Sequence, residues 1–125
     1  DDANINTQVQ TLDENLRAAL VGGAKKVGVT VRSRGVYVQT TGPRLETPAE
    51  ISHFRTVGDV LGMTMASEAT LANEIGLPYA SLCSVDNYCN GIMNRPLSFD
   101  VIRKKQEQNA AKLRDILVRT LEGIS

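Results

Sequence analysis

A chain of 125 residues holds about one domain's worth of sequence. Its 42% hydrophobic and 22% charged content suits ordinary globular packing, and no apolar run approaches the roughly 18 residues that a membrane-spanning helix needs. Lys and Arg total 14, as do Asp and Glu, which excludes a general electrostatic attraction to nucleic acid or anionic membrane.

The elements follow from periodicity and punctuation. Val9, Leu12, Leu16 and Leu20 recur at helical spacing and predict an amphipathic helix over residues 8 to 22, ending near Gly22-Gly23. Lys25 to Arg34 alternates through Val27, Val29 and Val31 and predicts a short strand, followed by a second from Val36 to Thr41. A helix begins at Thr47 and stops before Gly58; Val60 to Thr64 is a further strand, and Ala66 to Ile75 a helix closed by Gly76. Leu77 to Val85, with Tyr79, Leu82 and Cys83, predicts a buried strand. Asp86 to Leu97 is a loop rich in Asn, Gly and Pro, and Ser98 caps a long final helix. Val101, Ile102, Leu113, Ile116, Leu117 and Leu121 lie on or near the apolar side of that helix. Strands alternating with helices specify an α/β layer.

One segment carries most of the functional content. Gly35 to Glu50 reads as a strand, a Gly42-Pro43 turn, and an acid, Glu46, placed directly before a helix start. Thr47 through Glu50 matches a capping box, with Pro48 at the first helical position. A carboxylate is thereby held at a strand end, where open α/β sheets bind ligands. Cys83 and Cys89 are too few for a disulfide framework or a zinc site, and read as reduced thiols that serve packing in a cytoplasmic protein.

Three blocks in order, Gly35-Val-Tyr-Val…Gly-Pro-Arg-Leu-Glu-Thr-Pro-Ala-Glu50, Gly62-Met63-Thr64…Glu68 and Ser84-Val-Asp-Asn-Tyr88, resemble the trimeric purine nucleoside phosphorylase and 5′-methylthioadenosine phosphorylase family. The resemblance implies the C-terminal half of a phosphorylase/hydrolase-like α/β fold, a mixed sheet flanked by helices. Residues 1–125 are then the C-terminal part of a single phosphorylase domain. An N-terminal half carrying the first strands and most of the phosphate grip is expected as a partner, and the opening Asp1-Asp2-Ala3 fits that expectation. A homotrimer or hexamer is implied, with inorganic phosphate as co-substrate and no metal or other cofactor. The implied reaction is phosphorolysis of a purine nucleoside or its 5′-methylthio analogue, giving free base and a ribose 1-phosphate. A non-catalytic purine-binding or assembly module is the alternative. A generic nucleotide-binding domain has little support, since neither a Gly-x-Gly-x-x-Gly nor a P-loop is present.

The same resemblance assigns roles. Asn87 would bond the purine edge at N7 and O6 as the catalytic group, with Asp86 next to it; an Asp-Asn pair also turns a chain readily. Glu46 would accept the purine N1–H, although an acid before a helix is favourable anyway. Together Glu46 and Asn87 tilt the base toward a 6-oxopurine, and a shift of one residue to Asp86 would reverse that tilt. Met63 would meet the ribose through its backbone N–H, and the Thr64 hydroxyl would donate to phosphate. Tyr37 would line the ribose pocket or simply pack in the core. Leu45 stands where the family often has phenylalanine, so stacking becomes aliphatic contact. Phe99 stands where inosine-type enzymes carry a histidine for the 5′-hydroxyl; it would suit a methylthio group, or pack beneath Ser98. His53 reads as surface, and Arg103, Lys104 and Lys105 as a solvated helix face; the sequence leaves the role of Arg44 open.

Overall fold

The computed structural model describes residues 12–124. Val9 and the start of the first predicted helix lie outside them, as does the Asp1-Asp2-Ala3 opening. Helix α1 spans Glu14–Lys26. Asp13 caps it, its Oδ1 accepting from the Leu16 N–H at 2.8 Å. Glu14 in the first turn and Lys25 and Lys26 in the last complement the helix dipole.

The helix runs through Gly22-Gly23 instead of ending there, which corrects the sequence expectation. The reason is packing against the last helix, α4, Phe99–Ile124. A Cβ at Gly23 would lie 2.8 Å from the Ile116 carbonyl oxygen and press on Thr120 Oγ1. Glycine is needed here for close helix approach and not as a stop. The stop comes later, at Gly28, whose φ of +72° supports a Schellman turn in which Val29 N–H reaches the Ala24 carbonyl at 3.0 Å. Leu20 and Ala24 of α1 and Ile116 and Thr120 of α4 form the main buried contact. The Thr120 hydroxyl is satisfied by the Ile116 carbonyl at 2.7 Å.

Strands β1, Tyr37–Gln39, and β2, Val60–Gly62, are parallel, with Tyr37 opposite Val60 and Gln39 opposite Gly62. Helix α2, Pro48–Phe54, crosses between them, and α3, Met65–Glu74, follows β2. Parallel pairing requires such a crossover. As expected, Gly76 closes α3: at φ +68° it lets Leu77 N–H return to the Ala72 carbonyl at 2.8 Å.

Two predicted strands do not form. Residues 27–34 and 77–85 carry no ladder, and the sheet among the described residues has two strands. A strand exists only through a neighbour that takes its N–H and C=O groups in a ladder; the Tyr79 carbonyl accepts a single bond from the Asp13 N–H at 2.7 Å, and no ladder forms along either segment. Residues 29–34 and 80–85 instead border a cleft of about 680 Å³, lined by apolar groups that include Val29, Val31, Leu82, Leu113 and Ile116. Leu77 and Val85 are consequently 57% and 63% exposed, and Cys83, expected in a buried strand, is exposed. Leu117 and Leu121 are also exposed, because the face of α4 that meets α1 is centred on Ile116 and Thr120. No described helix is long and apolar enough to cross a membrane.

Candidate active site

Local chemistry places Glu46. The capping box forms as expected: Thr47 Oγ1 accepts from Glu50 N–H at 3.2 Å, and the Glu50 carboxylate accepts from Thr47 N–H at 2.8 Å. Arg44 then closes on Glu50 through two nitrogens, at 2.8 and 2.9 Å, so its open role resolves to an ion pair within the segment. These bonds pull the Glu50 carboxyl down to about 2 and hold the Arg44 guanidinium above its usual value. A depressed carboxyl stabilises the fold above its unfolded value, and that contribution is lost as pH falls. Glu50 should therefore lock the start of α2 at pH 4.5 and above, and release it as pH falls toward 2. An NMR titration of the Glu50 side-chain carboxyl checks this; a midpoint at 4.5 would mean the cap is open in solution.

Glu46 itself is only 7% exposed. Its Oε1 accepts from the Thr40 hydroxyl at 2.6 Å, and its carbonyl accepts from Asn90 Nδ2 at 3.4 Å. Gly91 lies against Pro48, where a Cβ would be 2.8 Å from the proline Cβ. Residues 90–91 thus fold over the start of α2. Cys89 sits in the same place: burial, and secondarily the nearby charge of Glu46, push its thiol up.

The second block joins the first by independent contacts. Tyr37 Oη faces the Thr64 N–H at 3.5 Å, and its ring lies across Gly62, 2.8 Å from where a Cβ would stand. Met63 packs its sulfur on Gly42. Thr64 precedes α3, but its hydroxyl makes no capping bond. Gln39 does that work from β1: its Oε1 accepts from Ala66 N–H at 2.6 Å and Ser67 N–H at 3.2 Å. The exposed Thr64 hydroxyl is not spent on the helix.

The third block divides. Asn87 is exposed and its amide donates to the Tyr88 carbonyl at 2.9 Å. Asp86 is half-buried, its Oδ1 accepting from Asn109 Nδ2 of α4 at 2.8 Å. Phe99, the first residue of α4, is 74% exposed, so it is not packed beneath Ser98. Leu45 is half-buried, and His53 is exposed, its ring 5.8 Å from that of Phe54. The structure therefore ties Glu46 to residues 89–91, Tyr37 to Thr64 and Met63 to Gly42, while Phe99 is exposed to solvent. Sequence reasoning missed Thr40, Gln39, Asn90 and Asn109, whose partners lie at separations that no local motif reports.

Residues 6–122 match the model of the phosphorylase superfamily. A probable 6-oxopurine nucleoside phosphorylase of Archaeoglobus fulgidus is 43% identical over 113 residues, covering 90% of this chain and 46% of the relative. A probable S-methyl-5′-thioinosine phosphorylase of Methanopyrus kandleri is 43% identical over 110 residues, covering 87% and 43%. Among solved structures, the methylthioadenosine phosphorylase from Schistosoma mansoni in complex with adenine superposes with a TM-score of 0.81 at 23% identity, over 90% of this chain and 46% of that one. The last shows the fold alone. The chain spans about half the length of the curated relatives it matches. With the family model running through nearly all of it, this chain belongs to the phosphorylase superfamily.

Proposed function

We propose that residues 1–125 form the C-terminal, purine- and ribose-facing part of a single nucleoside phosphorylase domain, completed by an N-terminal half that brings most of the phosphate grip. Its substrates are a 6-oxopurine nucleoside or 5′-methylthioinosine, with inorganic phosphate as co-substrate, no further cofactor, and a trimeric or hexameric assembly in the cytoplasm. The relatives named for those substrates support the reading. The single observation that carries it is Glu46, a carboxylate buried at a strand-to-helix crossing and pinned by Thr40. A 6-oxopurine bears a hydrogen on N1, which a carboxylate accepts; a neutral 6-aminopurine presents a lone pair there, which a carboxylate repels.

In the reaction a phosphate oxygen bonds the anomeric carbon as the bond from that carbon to N9 breaks. The purine leaves with the electron pair and takes up a proton. Catalysis consists of donors and acceptors placed where charge develops. Asp86 and Asn87 supply an acceptor for N7–H and a donor for O6, the Asn87 amide exchanging its bond to the Tyr88 carbonyl for one to the base. The Met63 N–H and Tyr37 face the ribose, Leu45 the purine plane, and Phe99 the 5′ substituent. Thr64 donates its uncommitted hydroxyl to phosphate.

The test combines the chain with a polypeptide covering the N-terminal half of a relative, and follows base release from inosine, 5′-methylthioinosine and adenosine in phosphate. Release from the 6-oxopurine nucleosides supports the proposal. No release from any purine nucleoside sinks it, and calorimetric purine binding without turnover would mark a binding module instead.

A further inference from the structure

The packed face of α4 carries two polar side chains, Asn109 and Thr120, which are satisfied in different ways. Asn109, Leu113, Ile116 and Thr120 follow one another at i, i+4, i+7 and i+11, so they share a helix face. Ile116 and Thr120 are buried against α1, and Asn109 and Leu113 are half-buried. Thr120 satisfies its hydroxyl on its own helix, but Asn109 turns its amide outward to another segment. A polar side chain on a packed face is costly unless paired, and Asn109 pairs with Asp86 at 2.8 Å.

The chemistry of that pair is informative. Lysine or arginine at position 109 would cancel the carboxylate's charge. A neutral amide donates one hydrogen bond, fixes the carboxylate's direction and leaves its net charge for a ligand. The anchor is rigid, because α4 is held on α1 at Gly23, Ile116 and Thr120. The loop on the other side of the pair is tied to Glu46 by Asn90. Asp86 therefore stands between a fixed helix and the base-reading loop.

We infer that Asn109 is a positioning residue: by orienting Asp86 from the last helix, it sets which purine the 86–90 loop accepts. This rests on the purine-reading role proposed above for that loop. Loss of the amide frees the Asp86 carboxylate to rotate, and an acceptor that rotates serves 6-amino and 6-oxo bases more evenly.

Asn109→Leu keeps similar bulk and removes the donor; Gln108→Leu, on an exposed position of the same helix turn, is the control. Hydrogen–deuterium exchange on the 125-residue chain is expected to speed up at residues 86–90 in Asn109→Leu and not in the control. In the complemented enzyme, the same variant is expected to lose about ten- to a hundredfold in the kcat/KM ratio of inosine over adenosine. Asn109→Ser, a shorter donor, should recover part of that ratio. Unchanged exchange in Asn109→Leu overturns the inference outright. Faster exchange with an unchanged ratio also overturns it, leaving Asn109 a structural residue only. A complemented protein that turns over no nucleoside defeats the enzymatic reading instead, and purine-base binding by the wild type and Asn109→Leu chains then decides the positioning role: equal preference for hypoxanthine over adenine overturns it.

Discussion

Replacing Glu46 with glutamine is expected to lower kcat/KM for inosine by about a hundredfold while leaving the fold intact. A hydrogen bond to a charged acceptor contributes about 1.5–3 kcal/mol, and each 1.4 kcal/mol is about tenfold. Glutamine keeps a carbonyl oxygen for the Thr40 hydroxyl, so the buried contact at 2.6 Å survives and thermal stability should move little. What changes is the face shown to the base. The new amide can donate to the bare N1 of a 6-aminopurine, so adenosine should lose less than inosine and the preference between them should narrow. Steady-state kinetics on the complemented enzyme with both nucleosides measures this. An unchanged preference would show that Glu46 is buried for the sake of α2 and does not read the base.

The second large effect is structural and needs no partner. Gly23→Ala is expected to lower the melting temperature by about 5–15 °C, while Gly22→Ala raises it slightly. Alanine is favoured over glycine inside a helix by about 1 kcal/mol, and at Gly22 nothing within 4 Å opposes that gain. At Gly23 the new methyl meets a backbone carbonyl at 2.8 Å, which cannot swing aside as a side chain can. Overpacking of this kind costs about 1–3 kcal/mol and outweighs the propensity term. Thermal unfolding followed by circular dichroism gives both signs. A rise in both variants would mean that α1 and α4 do not meet at this point.

These neighbouring glycines show why some of the fold was legible and some was not. The capping box at Thr47–Glu50 and the Gly76 stop were readable because every partner lies within a few residues. Gly22-Gly23 looked like a helix end, yet Gly23 answers to Thr120 and Ile116 far along the chain. Residues 27–34 and 77–85 have strand-like composition, but a strand is a relation between segments, and composition reports only one side of it. The candidate site divides in the same way. Glu46 was found through the helix start that follows it. Asn87 was favoured over Asp86 by resemblance, while the distinction between an exposed amide and a carboxylate held by α4 depends on Asn109. Thr40, Gln39 and Asn90 act across strands and loops, and only the fold could point to them.

The cap supplied to α3 by Gln39 has a consequence for how residue 64 can vary. A helix usually recruits the residue at its threshold, and that residue must then be retained for folding whatever else it does. Here the duty is discharged from the neighbouring strand, through bonds to Ala66 and Ser67. Position 64 is left without a folding obligation at its hydroxyl. Substitutions of that side chain can therefore accumulate across descendants of this protein without first being filtered by whether the helix forms.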